Sequence, residues 1–224
     1  MREIVLDTET TGLDAHAGDR IVEIACVELL NHLPTGRHFH SYVNPEREIS
    51  TGAYDVHGLS GDFLAGQPRF AEIVDGFLAF LGEALLVIHN AEFDLGFLNT
   101  ELARLERPAL ASARALDTLA MARRKFPGAQ ASLDALCRRF AIDNSARGRH
   151  GALLDAELLA EVYLELIGGR QAGFDLVGLA PARDTAAPDV QGRPRPSRVH
   201  RPTDAELAAH AALVAKLTKP LWRA

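Results

Sequence analysis

The chain has 224 residues, of which 47% are hydrophobic and 24% are charged, and its formal net charge is −6. This length and composition fit one substantial globular domain with an appendage. The acidic balance excludes a domain that grips duplex DNA along a basic face. It leaves room for an enzyme that handles a few nucleotides at a frayed end, where bound divalent cations supply positive charge.

Neither end of the sequence predicts membrane insertion or export. Glu3, Asp7 and Glu9 stand where a signal peptide needs its apolar core, and no apolar run approaches membrane-spanning length. Cys26 and Cys137 lie far apart without zinc-ligand spacing, and are interpreted as small buried thiols in a reducing compartment. We therefore expect a cytoplasmic protein.

The first half of the chain predicts three strands, a helix and a fourth strand. The strands are expected at residues 3–6, 20–30 and 36–44, with a turn at Pro34–Gly36 between the last two. A helix follows over residues 67–82 and a strand buried on both faces over residues 85–88. Further helices are expected at residues 91–106, 116–125, 132–140 and 152–167. This order predicts an α/β fold, a mixed sheet flanked by helices.

The composition changes after Gly168-Gly169. Residues 181–202 contain five prolines and five arginines and almost no large apolar residues, which predicts a flexible linker. Beyond it, residues 203–217 regain helical spacing, and Thr203 with Glu206 forms a possible capping box. A lone helix of this length is marginal in water, so we expect it to fold against something else.

The first candidate for chemistry is Asp7-Thr8-Glu9. Residues two apart on a strand share a face, so Asp7 and Glu9 project side by side while Thr8 faces the other way. Two adjacent carboxylates repel each other, and a bridging Mg²⁺ or Mn²⁺ relieves that repulsion. The alternative is an exposed strand end with two solvated acids.

The second candidate is Asp94, which follows the strand at residues 85–88 and the segment His89-Asn90. The carboxyl end of a strand that leads into a helix is a common place for site residues. Asp94 falls in the first turn of that helix, so a purely dipole-complementing role is the alternative.

The third candidate is the pair His150 and Asp155. A spacing of five on a helix separates two side chains by about 140°. The pair converges only if His150 lies in the loop before the helix and Asp155 lies within it. Histidine is the natural general base near neutral pH, and an incidental surface histidine is the alternative.

The combination is far more specific than its parts. Asp-x-Glu, a later Asp at a helix start and His-x₄-Asp, in this order, resemble the DEDDh exonuclease family, whose fold is ribonuclease-H-like. The resemblance covers nearly the whole chain, and it is particularly strong to the proofreading subunits of bacterial DNA polymerase III. The stretches that carry this second resemblance are IVLDTETTG (4–12), VIHN (87–90), SLDALC (132–137), IDNS (142–145) and HGALLDAELLAEVY (150–163).

The resemblance implies a two-metal 3′→5′ exonuclease that releases nucleoside 5′-monophosphates. It implies that Asp7, Glu9 and Asp155 bind two divalent cations, Mg²⁺ or Mn²⁺, and also contact the substrate. Asp94 would hold a metal directly or through water. His150 would deprotonate the attacking water.

Three further residues match family positions near the terminal nucleotide. His57 and His89 would stack on it or hydrogen-bond to it, and Leu13 would border the terminal base as an apolar wedge; structural histidines are the alternative. The sequence departs from the family at Gly52, where some members have a glutamate five residues before the equivalent of His57. We therefore expect the contact that this glutamate would make to the terminal nucleotide to be missing or replaced.

The resemblance also implies a domain organisation and partners. Residues 1–180 would form the exonuclease domain, and residues 203–224 would bind the polymerase III alpha subunit. Residues 171–176 resemble a sliding-clamp peptide, and a theta-like small subunit is a further possible partner. The substrate would be a single-stranded or frayed DNA 3′ end. Two other readings stay open: a DEDDh ribonuclease that trims RNA, and a non-catalytic scaffold between polymerase and clamp.

Overall fold

The computed structural model describes residues 1–145, 147–148, 150–169 and 202–216. The chain divides into two units, Met1–Phe174 and Asp175–Ala224, which are described separately. The strands of the first unit are β1 Arg2–Thr10, β2 Ile21–Leu30, β3 Leu33–Tyr42, β4 Leu85–Ile88 and β5 Ala115–Asp117. Its α-helices are α1 Thr51–His57, α2 Gly61–Ala65, α3 Phe70–Leu81, α4 Ala91–Arg104, α5 Thr118–Lys125, α6 Leu133–Phe140 and α7 Ala152–Leu166.

The strands form one mixed sheet in the order β3-β2-β1-β4-β5. The central strand β1 pairs with β2 antiparallel and with β4 parallel, and β4 pairs with β5 parallel. The predicted mixed sheet flanked by helices is confirmed. Because β1 and β4 run in the same direction, their carboxyl ends lie at the same edge of the sheet.

Strand β1 is buried on both faces. Ile4 and Leu6 belong to a core with α3 and α4, while Val5 belongs to a second core with α6 and α7. The strand alternates between these two layers, as the pleat requires. Residues 7 and 9 therefore lie on the face that α7 covers.

A buried carboxylate holds the far end of α7 on the sheet. Glu3 is fully buried, and its Oε1 accepts a hydrogen bond from the hydroxyl of Tyr163 at 2.6 Å. The ring of His32 lies 2.8 Å from the other carboxylate oxygen. Tyr163 lies two helical turns beyond Asp155 on α7, so this cluster fixes the helix that carries Asp155.

The expected turn at Pro34–Gly36 is wrong. The hairpin turns at Asn31 and His32, since Leu30 pairs with Leu33. Both turn residues have positive φ (51° and 67°), the backbone that suits a two-residue hairpin. Pro34 is tolerated inside β3 because β3 is an edge strand.

One helix boundary and two short helices also differ from the sequence-based expectation. The helix expected at 116–125 begins at Thr118, because residues 115–117 form the edge strand β5. The short helices α1 and α2 were not predicted. Their N-caps, Ser50 and Ser60, each accept a backbone hydrogen bond, from Ala53 and Phe63 respectively.

The described part of the second unit contains one helix, α8 (Asp204–Lys216). Its expected capping box is confirmed: the Glu206 amide donates to Thr203 Oγ1 at 3.3 Å, and the Thr203 amide donates to Glu206 Oε2 at 2.8 Å. The peptide 171–176, linker residues 181–201 and the chain end 217–224 lie outside the described residues. Within the described ranges, no helix has the length and apolarity needed to cross a bilayer.

Candidate active site

The carboxyl end of β1 brings Asp7 and Glu9 to the edge of the sheet. Val5 on β1 pairs with Val87 on the parallel strand β4. Asp7 and Glu9 follow Val5 and therefore lie level with the carboxyl end of β4. Glu9 also lies opposite Glu23 on β2 and is 8% exposed. Val5 is buried beneath α7, so the alternation of the strand puts Asp7 and Glu9 on that same face.

Helix α4 brings Asp94 to the same edge. The helix begins directly after β4, at a sharp bend where Asn90 has a φ of 69°. Asp94 is in its first turn, 3% exposed, and its Oδ1 accepts a hydrogen bond from Thr8 Oγ1 at 2.7 Å. Thr8 thus anchors the third acid, and it borders the same cavity as Asp7 and Glu9.

His150 lies in the loop before α7, and Asp155 lies in the first turn of that helix. This is the arrangement that the spacing requires for convergence. His150 Nδ1 is 3.4 Å from Asp155 Oδ2. The backbone N–H of His150 donates to the carbonyl of Val56 at 3.2 Å, which ties the loop to α1.

These residues surround one open cavity of about 640 Å³. All five predicted chemical groups, Asp7, Glu9, Asp94, His150 and Asp155, line it. Its remaining wall comes from α5, the start of α6 and the segment between them. The residues of that wall are Leu119, Arg123, Ala129, Gln130, Ala131, Ser132, Leu133 and Asp134.

Burial raises the pKa values of three of these acids. Burial, reinforced by repulsion from Asp94 and Glu9, raises the pKa of Asp7 well above its usual range. Burial likewise raises the pKa of Glu9 to about 8, although His150 works in the opposite direction. Burial raises the pKa of Asp94 to about 7 against the hydrogen bond from Thr8.

Asp155 behaves differently. Burial acts to raise the pKa of its carboxyl, but hydrogen bonds from His150 and Arg147 outweigh burial and leave that pKa below its ordinary value. The reciprocal hydrogen bond with Asp155 raises the pKa of His150, against burial and the repulsion of Arg147. Asp155 is therefore paired with cationic protein groups, whereas at Asp7, Glu9 and Asp94 no such pairing outweighs burial.

The donor set fits a hard divalent cation. One ligand atom each from Glu9, His150 and Asp155 lies within 4.8 Å of the other two. Asp7 and Asp94 add carboxylates on the same cavity. Carboxylate oxygens suit Mg²⁺ or Mn²⁺, and the raised pKa values of Asp7 and Glu9 mark charge that a cation would stabilise.

One basic residue, Arg147, was missed by sequence reasoning. Its Nε and Nη2 donate to the two carboxylate oxygens of Asp155, each at 2.6 Å. Its Nη1 donates to Asp134 Oδ1 at 2.6 Å, and its Nη2 is 2.8 Å from His150 Nδ1. Arg147 lies in the loop before His150, where no periodicity indicates the direction of a side chain.

A second cavity of about 680 Å³ adjoins the first, and the two share Thr8, Glu9 and Phe93. His57 and Leu13 line this second cavity, not the first. His57 is 6% exposed, and its Nε2 has no hydrogen-bond partner among the described residues. Leu13 is 86% exposed, as an apolar wedge would have to be.

The family position occupied by Gly52 also lines the second cavity. A Cβ built on Gly52 would meet no atom within 4 Å, so the space that a glutamate side chain would need is open.

His89 lines the first cavity at the end of β4. Its Nδ1 is 2.9 Å from the hydroxyl of Thr118, and that hydroxyl donates to the carbonyl of Ile88. The histidine nitrogen is therefore the donor in this pair. Burial lowers the pKa of His89, against the attraction of Asp117. One ring nitrogen thus has a structural partner, while the ring itself borders the site.

Comparisons with known proteins agree with this geometry. The RNase_T exonuclease family model matches residues 4–163, the span that contains all five chemical groups. The DNA polymerase III subunit epsilon of Rickettsia conorii is 50% identical over 227 residues, covering 99% of each chain. The subunit epsilon of Escherichia coli K12 is 43% identical over 243 residues, covering 100% of this chain and 98% of its own.

Solved structures show the same fold. Exonuclease X in complex with 5′-overhanging duplex DNA aligns with a TM-score of 0.59 and 27% identity, covering 74% of this chain and 90% of its own. The nuclease domain of 3′hExo, a DEDDh family member bound to rAMP, aligns with a TM-score of 0.64 and 19% identity, covering 74% and 91%. The chain therefore belongs to the RNase_T exonuclease family, with DEDDh nucleases as its structural neighbours and the epsilon subunits of bacterial DNA polymerase III as its full-length relatives.

Proposed function

We propose that this protein is the 3′→5′ exonuclease that removes mispaired nucleotides from DNA 3′ ends as the proofreading subunit of a bacterial replicative polymerase. One observation carries the proposal. Asp7, Glu9, Asp94, Asp155 and His150 all line a single cavity in a chain that matches epsilon subunits from end to end. A scaffold without chemistry would have no reason to keep all five groups at one place.

The metal ligands in this proposal are Asp7, Glu9, Asp94 and Asp155. Family membership implies dependence on divalent metal, and we propose two ions, Mg²⁺ or Mn²⁺. Bound at these carboxylates, such ions supply a more acidic water and charge stabilisation for the leaving 3′-oxygen, so that nucleoside 5′-monophosphates are released. The acids contribute position: all four lie on three elements, β1, α4 and α7, which the buried cores hold rigidly.

His150 is the proposed general base. It lies on the cavity wall with its side chain 47% exposed, so the ring reaches water, while its backbone is tied to Val56. Asp155 hydrogen-bonds to the ring and raises its pKa, which makes the neutral ring a stronger proton acceptor.

The second cavity is the proposed site of the terminal nucleotide. His57 has an unpaired buried nitrogen there, and Leu13 presents an exposed apolar side chain. On the other side of the acids, Arg123 and His89 line the first cavity and are placed to meet the phosphate and sugar of the same strand.

Residues 203–224 are the proposed binding segment for the polymerase alpha subunit, with residues 181–202 as a tether. Support comes from the capped helix α8, whose apolar residues Leu207, Ala211 and Val214 recur at helical spacing. Contacts of residues 171–176 with a sliding clamp and of the domain with a theta-like subunit are further parts of this proposal. The complex would act in the bacterial cytoplasm.

The proposal is tested by substrate choice. We expect the full-length protein with Mg²⁺ to degrade 3′-labelled single-stranded DNA and mispaired primer ends faster than paired ends, because unpairing is cheapest at a mismatch. RNA of the same sequence, run in parallel, tests the ribonuclease reading. Equal rates on paired and mispaired ends at low temperature, or faster loss of RNA, would contradict the proposal.

Asp7→Asn should abolish exonuclease activity and stabilise the fold in the presence of a chelator. The native pKa of Asp7 lies above that of the unfolded chain, so the native state binds more protons and loses stability as pH rises above about 4. Asparagine removes this loss, and thermal unfolding in EDTA at pH 8 measures it. The control is Asp75→Asn, whose carboxylate is 77% exposed. Near-normal activity in Asp7→Asn would overturn the metal assignment.

His150→Ala should lose roughly 10²–10⁴-fold in rate, the usual contribution of a general base. Wild-type activity should rise with pH through the raised pKa of His150, because only the neutral ring accepts a proton, and this acidic limb should vanish in the variant. Mn²⁺ affinity, measured by calorimetry, should stay within a few-fold. The control is His38→Ala on the exposed strand β3. An unchanged acidic limb would exclude His150 as the base.

Deletion of residues 181–224 should leave the exonuclease rate on free oligonucleotides nearly unchanged and abolish co-purification with the polymerase alpha subunit. The physical reason is that the tail contains apolar anchors, Trp222 foremost, but no core of its own. Trp222→Ala in the intact chain should weaken co-purification with the alpha subunit without abolishing it, and should leave the exonuclease rate nearly unchanged. If activity and polymerase binding were lost together, the tail would belong to the nuclease domain and the tether would be wrong.

A further inference from the structure

Arg147 is the only guanidinium among the described residues that donates to one of the proposed metal ligands. Its side chain is 7% exposed and lies against Asp155, which is 4% exposed. Two parallel N–H···O contacts of 2.6 Å form a bidentate pair, the strongest geometry available between these two groups. Both oxygens of Asp155 are thus engaged by one side chain.

A cation that binds Asp155 needs at least one of these oxygens. An inner-sphere carboxylate ligand lies about 2.1 Å from Mg²⁺. A guanidinium at hydrogen-bond distance from the same oxygen would lie in the ligand shell of the ion, with like charge. Arg147 and a divalent cation are therefore competitors for Asp155.

The structure also provides a place for the displaced guanidinium. Asp134, at the start of α6, accepts from Arg147 Nη1 at 2.6 Å and from Asn144 Nδ2 at 3.0 Å. Asp134 is 45% exposed, so it holds a cation at the rim of the cavity and not at its floor. Because Arg147 already contacts both carboxylates, release of Asp155 would leave its ion pair with Asp134 in place.

We propose that Arg147 is a positioning residue that exchanges with metal at Asp155, and that Asp134 retains it when the metal is bound. Because Arg147 precedes His150 by three residues and contacts its ring at 2.8 Å, the exchange moves the loop that carries the base. Metal loading and placement of His150 are then coupled through one side chain. This inference rests on the proposed metal site.

The rival explanation is a structural ion pair that fixes the loop and never exchanges. The two explanations differ in a quantity other than activity. A structural pair stabilises the protein equally with and without metal, whereas a competitor lowers metal affinity. Mn²⁺ binding and thermal unfolding, each measured with chelator-treated full-length protein, separate them.

We expect Arg147→Ala to tighten Mn²⁺ binding by about tenfold, the scale on which charge-assisted hydrogen bonds contribute. Arg147→Lys should tighten it nearly as much, since lysine keeps the charge but cannot engage both oxygens. Arg138→Ala, on the exposed face of α6, removes the same charge away from the acids and should leave affinity unchanged. The rise in melting temperature on adding Mn²⁺ should be larger in Arg147→Ala than in wild type.

Asp134→Asn should weaken Mn²⁺ binding, because the guanidinium loses its second anchor and stays on Asp155. The double variant Arg147→Ala with Asp134→Asn distinguishes this from simple loss of a negative charge. If Asp134 acts through Arg147, its substitution has no effect once Arg147 is absent. If Arg147→Ala does not fold, the Mn²⁺ affinities of the wild type, Asp134→Asn and Arg147→Lys decide between exchange and a structural ion pair.

The outcomes also separate this inference from the function on which it rests. Failure of the wild-type protein to bind Mn²⁺ would overturn the metal site itself. If Arg147→Ala and Arg147→Lys bind Mn²⁺ with the wild-type affinity, and if their melting temperatures are lowered equally in EDTA and in Mn²⁺, Arg147 forms a structural ion pair. That result would overturn the exchange and leave the metal site intact.

Discussion

Four carboxylates surround one cavity at the carboxyl end of β1, and the cost of burying them together is the constraint that the rest of the domain accommodates. Taking like charges out of water in one place is costly, and the raised pKa values of Asp7, Glu9 and Asp94 express that cost. The protein offsets part of it locally. A hydroxyl from Thr8 and the start of α4 stabilise Asp94, and Arg147 neutralises Asp155.

The rest of the domain holds the four acids close together although their negative charges repel one another. Cores on both faces of the sheet clamp β1, and the Glu3–Tyr163 hydrogen bond fixes the far end of α7. Acids on strands and helices cannot relax away from one another, which is the requirement for a preorganised cation site. His150 is instead carried by a loop, tied at one backbone hydrogen bond to α1. A rigid set of acids beside a histidine on a loop would allow this proposed base to adjust when substrate and metal bind.

The second cavity, the proposed site of the terminal nucleotide, is lined by fewer charged residues than the first. Leu13, Val56 and Phe93 contribute to the second cavity, and the glutamate of some family members is replaced by Gly52. In the proposed function, such a surface would hold a single unpaired nucleotide and would give little affinity for duplex DNA, in keeping with the net charge of −6. Tethering to a polymerase would compensate for weak binding by raising the local concentration of the nuclease at the primer end.

The sequence by itself determined the acids, the histidine and the main elements. Periodicity located α3 and α4, and the Asp-x-Glu spacing set two carboxylates on one face of β1 because a strand repeats every two residues. The His-x₄-Asp spacing required a loop before α7, which is present. Local patterns misplaced the β2–β3 turn, since left-handed Asn31 and His32 carry a weaker signal than Pro34–Gly36, and they missed β5, which is only three residues long. Only the tertiary structure decided that Arg147 joins Asp155, Asp134 and His150, because the direction of a loop side chain depends on the charges that folding brings around it.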